Sequence, residues 1–310
     1  MVAATFVAAL VAFAPAPSSH PGPEPETRAP AADPATNPLP DLGLERFAWP
    51  TGPRQLWLGL GVGGIYLPSS ISGFSRDAWT LNTPLSWSFS PARRVAFGGR
   101  HAMVWYDATA TRTRLSDHSG EVVVDVSRLD PRRQHRVSVT ADLHELDKFR
   151  VNDSGVELGI GGVRDSVLGL GYSARFVLGK AWVVGWQAHL RYAWVFANTQ
   201  RQARVALRGE YYPRPNQKLS LTLVGHFVHR DEEQYAKLLT RTTVHGQVRL
   251  GYGWMSRPLT RGPHPFHLGW YANLRAASSF LSGEAPVYEV RNDTLTTPYG
   301  DANVGIHARW

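Results

Sequence analysis

From Trp182 to Phe196 every second residue is apolar or aromatic. Trp182, Val184, Trp186, Ala188, Leu190, Tyr192, Trp194 and Phe196 share one parity, and Gly185, Gln187, His189 and Arg191 fall on the other. Successive strand side chains point to opposite faces, so this run is a strand with one apolar and one polar face. The pattern returns with Leu219, Leu221, Leu223 and Phe227 set against Ser220, Thr222 and His226. It returns again with Val205, Leu207 and Tyr211, and with Val244, Val248, Leu250, Tyr252 and Trp254. Strands of soluble sheets are usually about five or six residues long, whereas these alternations run for about nine to fifteen, enough for a tilted strand to cross a bilayer. The polar parity carries Arg in segment after segment, which a soluble core would not accept unpaired. An apolar outer band around a polar lumen accounts for both features. Lipid offers no partner to backbone groups, so the sheet must close. The expectation is an all-β chain forming a closed antiparallel transmembrane β-barrel.

About twelve segments are expected, with ten or fourteen as alternatives because the second to fourth alternate weakly, beginning near Gln55, Leu81, Arg94, Gly120, Arg136, Val156, Ala181, Gln202, Lys218, Thr242, Phe266 and Asp301. Residues 90–93, 128–135, 179–180, 213–217 and 257–265 read as short or Pro-rich turns. Residues 67–79, 107–119, 146–155, 230–241 and 281–300 read as longer loops, with 197–201 as a short exception. Short turns on the periplasmic side and longer loops outside are the habit of outer-membrane barrels. Two aromatic belts are expected at headgroup depth. Trp87, Phe89, Phe97, Trp182, Tyr211, Trp254, Phe266 and Trp310 form the periplasmic belt, and Tyr66, Trp105, Tyr192, Trp194 and Phe196 the outer one.

The N-terminal region reads differently. Residues 2–14 are apolar but too short to span a bilayer, as in a secretory leader, so residues 1–19 are taken as a signal peptide. Residues 15–53 hold half of the 22 prolines. Such a stretch favours extended polyproline II structure and reads as a semi-rigid periplasmic linker over residues 20–53, ahead of a barrel at 54–310. No run of about 18 apolar residues exists, which excludes a helical membrane protein. The absence of Cys excludes a disulfide scaffold, Cys-ligated metal and a Cys nucleophile. The +8 formal charge suits anionic partners. Its Arg residues alternate with apolar residues instead of gathering on a soluble patch, which speaks against nucleic acid.

Residues 55–310 resemble a bacterial outer-membrane β-barrel protein. The C-terminal stretch is similar to the signal read by the barrel-assembly machinery, with Val304, Ile306 and Trp310 at the matching apolar positions and Ala308 departing from the usual larger residue. The resemblance implies residence in the outer membrane, contact with lipid and lipopolysaccharide, and no cofactor. The parity predicts a basic lumen lined by Arg175, Arg191, Arg204, Arg208, Arg249, Arg275 and Arg309, with His189, His245, His267 and His307, and with Glu210 as the nearest acid. Asp125, Asp142 and Glu157 lie in the other half. Arg offers a permanent charge and a planar fork for carboxylate or phosphate, and rows of such forks favour anions. The architecture resembles small twelve-stranded porins for acidic oligosaccharides. The same charges can instead form a network that closes the lumen. The chain then serves as a structural barrel anchoring an envelope-spanning complex, with a periplasmic protein bound to the Pro-rich arm.

A lumen or rim hydrolase is the weakest alternative. A Ser activated by His along one strand face needs two-residue spacing, and no His here has a Ser two positions later. Asp142-Leu143-His144 has the spacing of the omptin-type Asp–His pair, but the chain lacks the Asp-x-Asp that those proteases place opposite it. His264 and His267 have ligand-like spacing without a third ligand nearby. His226, His229, Asp231, Glu232 and Glu233 read as a solvated loop cluster. Gly59, Gly61, Gly63 and Gly64 continue a strand and precede no helix, so they are read as room for bulky lumen neighbours instead of a phosphate loop.

Overall fold

A computed structural model of the protein describes residues 39, 55–67, 78–92, 94–108, 111–127, 130, 132–151, 157–195, 198–230, 242–261, 265–278 and 299–310. The leader at 1–19, all of the 20–53 linker except Leu39, the acidic run at 231–233 and His264 lie outside these residues. Among the described residues every regular element is a strand: β1 (Gln55–Leu67), β2 (Ala78–Asn82), β3 (Leu85–Ala92), β4 (Val95–Ala108), β5 (Thr111–Asp125), β6 (Arg133–Val151), β7 (Glu157–Leu178), β8 (Trp182–Val195), β9 (Asn198–Arg214), β10 (Gln217–Arg230), β11 (Thr242–Met255), β12 (His267–Ala277) and β13 (Tyr299–Arg309).

Sequence neighbours pair antiparallel except β2 and β3, and β13 closes on β1. β2 and β3 both lie between β1 and β4, one above the other, so thirteen strands make a barrel of twelve staves. Pro84 sits at their junction, where a residue without an N–H cannot complete a ladder. The ladder survives the break, because Gly61 N donates to Pro84 O at 2.8 Å and Thr83 N donates to Met103 O at 3.1 Å. At the seam Leu56 and Trp310 exchange two backbone hydrogen bonds of 3.0 Å each. Closure leaves no open edge, as a lipid-embedded sheet requires.

The exposure pattern inverts that of a soluble protein. Leu190 is 71 % and Val244 72 % exposed, and Leu60, Leu170, Leu207 and Ile306 share that outer face. Arg136, Arg175, Arg208, Arg249 and Arg275 are buried inside. Soluble monomers rarely show so continuous an apolar surface, whereas hydrocarbon is its natural solvent. Aromatics gather outside at the end where β1 starts and β13 stops: Trp182 packs on Tyr211 with ring centroids 4.7 Å apart, and Phe266 on Trp310 at 5.2 Å. Tyr192 and Trp194 pack together at the opposite end, centroids 4.9 Å apart.

Strand starts agree with the sequence reading within a few residues for most staves. The fourth stave is the correction: β5 begins at Thr111, not near Gly120, and pairs with β4 as far as Ala108↔Thr111. Residues 107–119 are therefore mostly strand, and His118-Ser119 is strand too. Likewise β6 continues to Val151 and β7 starts at Glu157, so 146–155 is largely strand. Periodicity betrays a strand only where one face meets lipid. These two hairpins, with strands of 15, 19 and 22 residues, outrun the roughly ten residues that a crossing needs.

The connections at the end where β1 starts and β13 stops are 93–94, 126–132, 179–181, 215–216 and 256–266. Gly179 there has φ 66°, the left-handed conformation that a tight hairpin takes most easily through glycine.

Candidate functional site

The candidate site is the lumen. All eight residues expected there face inward: Arg175, Arg208, Glu210, Arg249, Arg275 and Arg309 are buried, and Arg191 and Arg204, nearer the loop end, are partly exposed. Each is placed by the two-residue alternation of a stave whose other parity is apolar and points out. Sequence reasoning missed Arg100, Glu121, Arg136 and Lys218, which are buried in the same lumen. For Lys218 the signal was present, since it shares parity with Ser220, Thr222 and His226.

Glu210 is a hub. Its carboxylate accepts the Tyr212 hydroxyl at 2.8 Å and is ion-paired with Arg208, whose Nε lies 2.8 Å away, and with Arg175, whose Nη2 lies 3.6 Å away. Arg136 Nε is 3.9 Å from Asp125. Arg191 is paired with Asp142, and Arg275 with Asp301. Arg249 donates through Nε and Nη2 to Gln247 Oε1, at 2.9 and 2.7 Å. Arg309 contacts His267 Nε2 at 2.8 Å and lies over the Trp57 ring, 5.2 Å from its centroid. Arg204 stands in register between His189 and His226. Of the predicted residues, Arg175 and Arg208 are thus paired with Glu210, Arg191 with Asp142 and Arg275 with Asp301.

The wall is also tightly filled. A side chain at Gly171 would run into the His189 ring and Ser138, and one at Gly61 into the Tyr271 hydroxyl and Pro84. Gly61 and Gly63 face inward and leave room for Tyr271 and Asn303, as read from the sequence; Gly64 has the opposite parity. Asp142 is engaged by Arg191, so the Asp142–His144 spacing resolves into a lumen ion pair; the His144 side chain lies outside the described ones. His267 is occupied by Arg309 and by the Ser256 carbonyl, 3.1 Å from Nδ1. No cluster of three metal-ligating side chains occurs among the described residues.

The end of the lumen beside the chain ends is different. Trp57, Val177, Val183, Tyr212 and Met255, from five staves, form an apolar inward ring, and Leu39 is buried in it. Lys218 Nζ donates to the Leu39 carbonyl at 2.7 Å. Neither the ring nor this contact was foreseen, because Leu39 lies far from any alternating segment.

Val304, Ile306 and Trp310 face outward, 55 %, 58 % and 40 % exposed. They lie on the apolar surface of β13 and just beyond it.

No protein-family model matches the chain, and no curated protein matches it. The chain is similar to solved outer-membrane barrels. The translocator domain of the autotransporter NalP from Neisseria meningitidis is 8 % identical with a TM-score of 0.49, over 84 % of this chain and 89 % of that one. The porin NanC is 12 % identical with a TM-score of 0.47, over 80 % and 98 %. A porin KdgM structure, in complex with disordered oligogalacturonate, is 6 % identical with a TM-score of 0.40, over 80 % and 97 %.

Proposed function

We propose that the protein is an integral outer-membrane barrel that serves as a narrow conduit favouring anions, acidic oligosaccharides among them. The charge balance of the lumen carries this reading. Among the described inward residues ten are basic (Arg100, Arg136, Arg175, Arg191, Arg204, Arg208, Lys218, Arg249, Arg275 and Arg309), against five carboxylates, Glu121, Asp125, Asp142, Glu210 and Asp301. A low-dielectric interior tolerates such a surplus only with anions or water in attendance. Fixed cations along a pore raise the local anion concentration and repel cations.

The refolded protein in a planar bilayer under a salt gradient tests this. Discrete openings with a reversal potential displaced toward the anion equilibrium are expected. A cation-favouring potential would overturn the reading.

The tight filling of the wall, with Tyr271 over Gly61 and His189 over Gly171, favours a second reading. In it the barrel is a structural anchor for an envelope-spanning complex and carries no enzyme activity. A properly folded barrel that stays silent even after its apolar ring is emptied supports this alternative. Assembly through Val304, Ile306 and Trp310 by the barrel-assembly machinery belongs to both readings.

A further inference from the structure

We propose that Leu39 is the stopper of the lumen: the apolar ring at the barrel's periplasmic mouth is a built socket for it, Lys218 is its latch, and its withdrawal opens the conduit. The inference rests on the channel reading above.

Small apolar patches occur along the inward face, but at one end Trp57, Val177, Val183, Tyr212 and Met255, from five staves, turn apolar together. A water-filled mouth gains nothing from such a ring, because apolar walls there stay wet at a cost. The ring makes sense with an apolar occupant, and Leu39, 4 % exposed, is that occupant. The second observation is independent of apolar burial. The Lys218 ammonium is itself buried and donates to a main-chain carbonyl of residue 39, a residue that belongs to no stave. That bond identifies a backbone, not only a greasy side chain.

The sequence around Leu39 fits the task. Pro38 and Pro40 flank it. Neither carries an N–H, and a residue preceding proline is held extended. Leu39, preceding a proline, is therefore biased to an extended backbone, and neither sequence neighbour has an N–H to pair with a wall. Every stave already has both neighbours, so the barrel's ladder does not depend on Leu39. A contact that seals without holding the fold together is one that can be released.

The chain lacks Cys, which allows a direct test on the full-length protein. In the folded Leu39→Cys variant the introduced thiol is expected to react at least tenfold more slowly with a membrane-impermeant maleimide than after unfolding in urea. Lys218→Met is expected to remove most of that protection. In bilayers Leu39→Asp is expected to raise open probability several-fold over wild type, while a heat-dependent shift in gel mobility confirms that the variant folds. A thiol that reacts at the unfolded rate in the folded protein overturns the docking. Protection combined with equal conductance of wild type and Leu39→Asp overturns the stopper. Silence from both proteins, with the thiol protected, overturns the conduit reading and the gate together while leaving Leu39 seated as a structural plug.

Discussion

At the scale of single residues, the lumen charges behave as buried pairs and not as surface ones. Glu210 holds Arg208, Arg175 and the Tyr212 hydroxyl at once. Removing one member of a buried ion pair strands the charge it leaves behind, typically at about 3–5 kcal/mol. Glu210→Gln is therefore expected to lose about that much stability, read from urea unfolding in vesicles. An unchanged midpoint would show that water already screens this cluster.

A second residue pair behaves oppositely. His101 and His118 point outward, midway along β4 and β5, on the same face as Phe97 and Val122, with their Nδ1 atoms 2.8 Å apart. Polar groups facing lipid are costly unless they satisfy each other. His101→Leu alone leaves the His118 ring without its partner and is expected to destabilise by about 1–3 kcal/mol. The double change to Leu is expected to recover at least the wild-type midpoint. A double variant as unstable as the single would show that these rings serve more than each other.

At the scale of elements, lipid contact decides what the sequence can reveal. The seventh to tenth staves, β8 to β11, were legible because each shows hydrocarbon to one side and a polar lumen to the other. The upper parts of β5, β6 and β7 were not. Residues such as Thr111, Arg112, Thr113 and Asp147, Lys148 are polar at both parities, and a strand with water on both faces has no reason to alternate. The second stave was blurred for another reason, its interruption at Pro84. The lumen residues were legible by parity alone. Their partners were not, because Arg191–Asp142 joins residues far apart in sequence. Leu39 gave no signal at all, since a single apolar residue between prolines looks like any linker residue.

The tall hairpin carries a prediction of its own. Replacing residues 146–163 by a two-residue turn, joining Glu145 to its register partner Arg164, removes strand that stands above the bilayer span. The shortened protein is expected to keep its heat-dependent gel mobility and to stay within a few degrees of the wild-type melting temperature. Failure to fold would mean that this wall lies within the membrane.

At the scale of the whole molecule, charge and apolarity are sorted radially and along the axis. Leu, Val and Trp cover the outside, buried guanidinium groups stand inside, and an apolar cluster from five staves lies inside at the end where the chain starts and stops. The outer sorting follows from the solvent, and any barrel in lipid must obey it. The inner sorting does not follow from folding alone. A barrel needs its lumen filled or wet, but nothing requires its described inward residues to carry twice as many cations as carboxylates or to gather an apolar cluster at one end. Those two choices are where this chain departs from a generic scaffold.

The seam between β1 and β13 is as regular as the covalently connected boundaries, with an unbroken register from Trp57↔Arg309 to Tyr66↔Gly300 and paired hydrogen bonds between Leu56 and Trp310. Covalent order therefore leaves little mark on the finished cylinder. Bridging residues 310 and 55 with a short linker and cutting the loop at 231–241 would yield a rearranged gene for the same cylinder. That gene would begin inside what is now β11's approach and end after β10, and the ring of staves would be indifferent to where its polypeptide started.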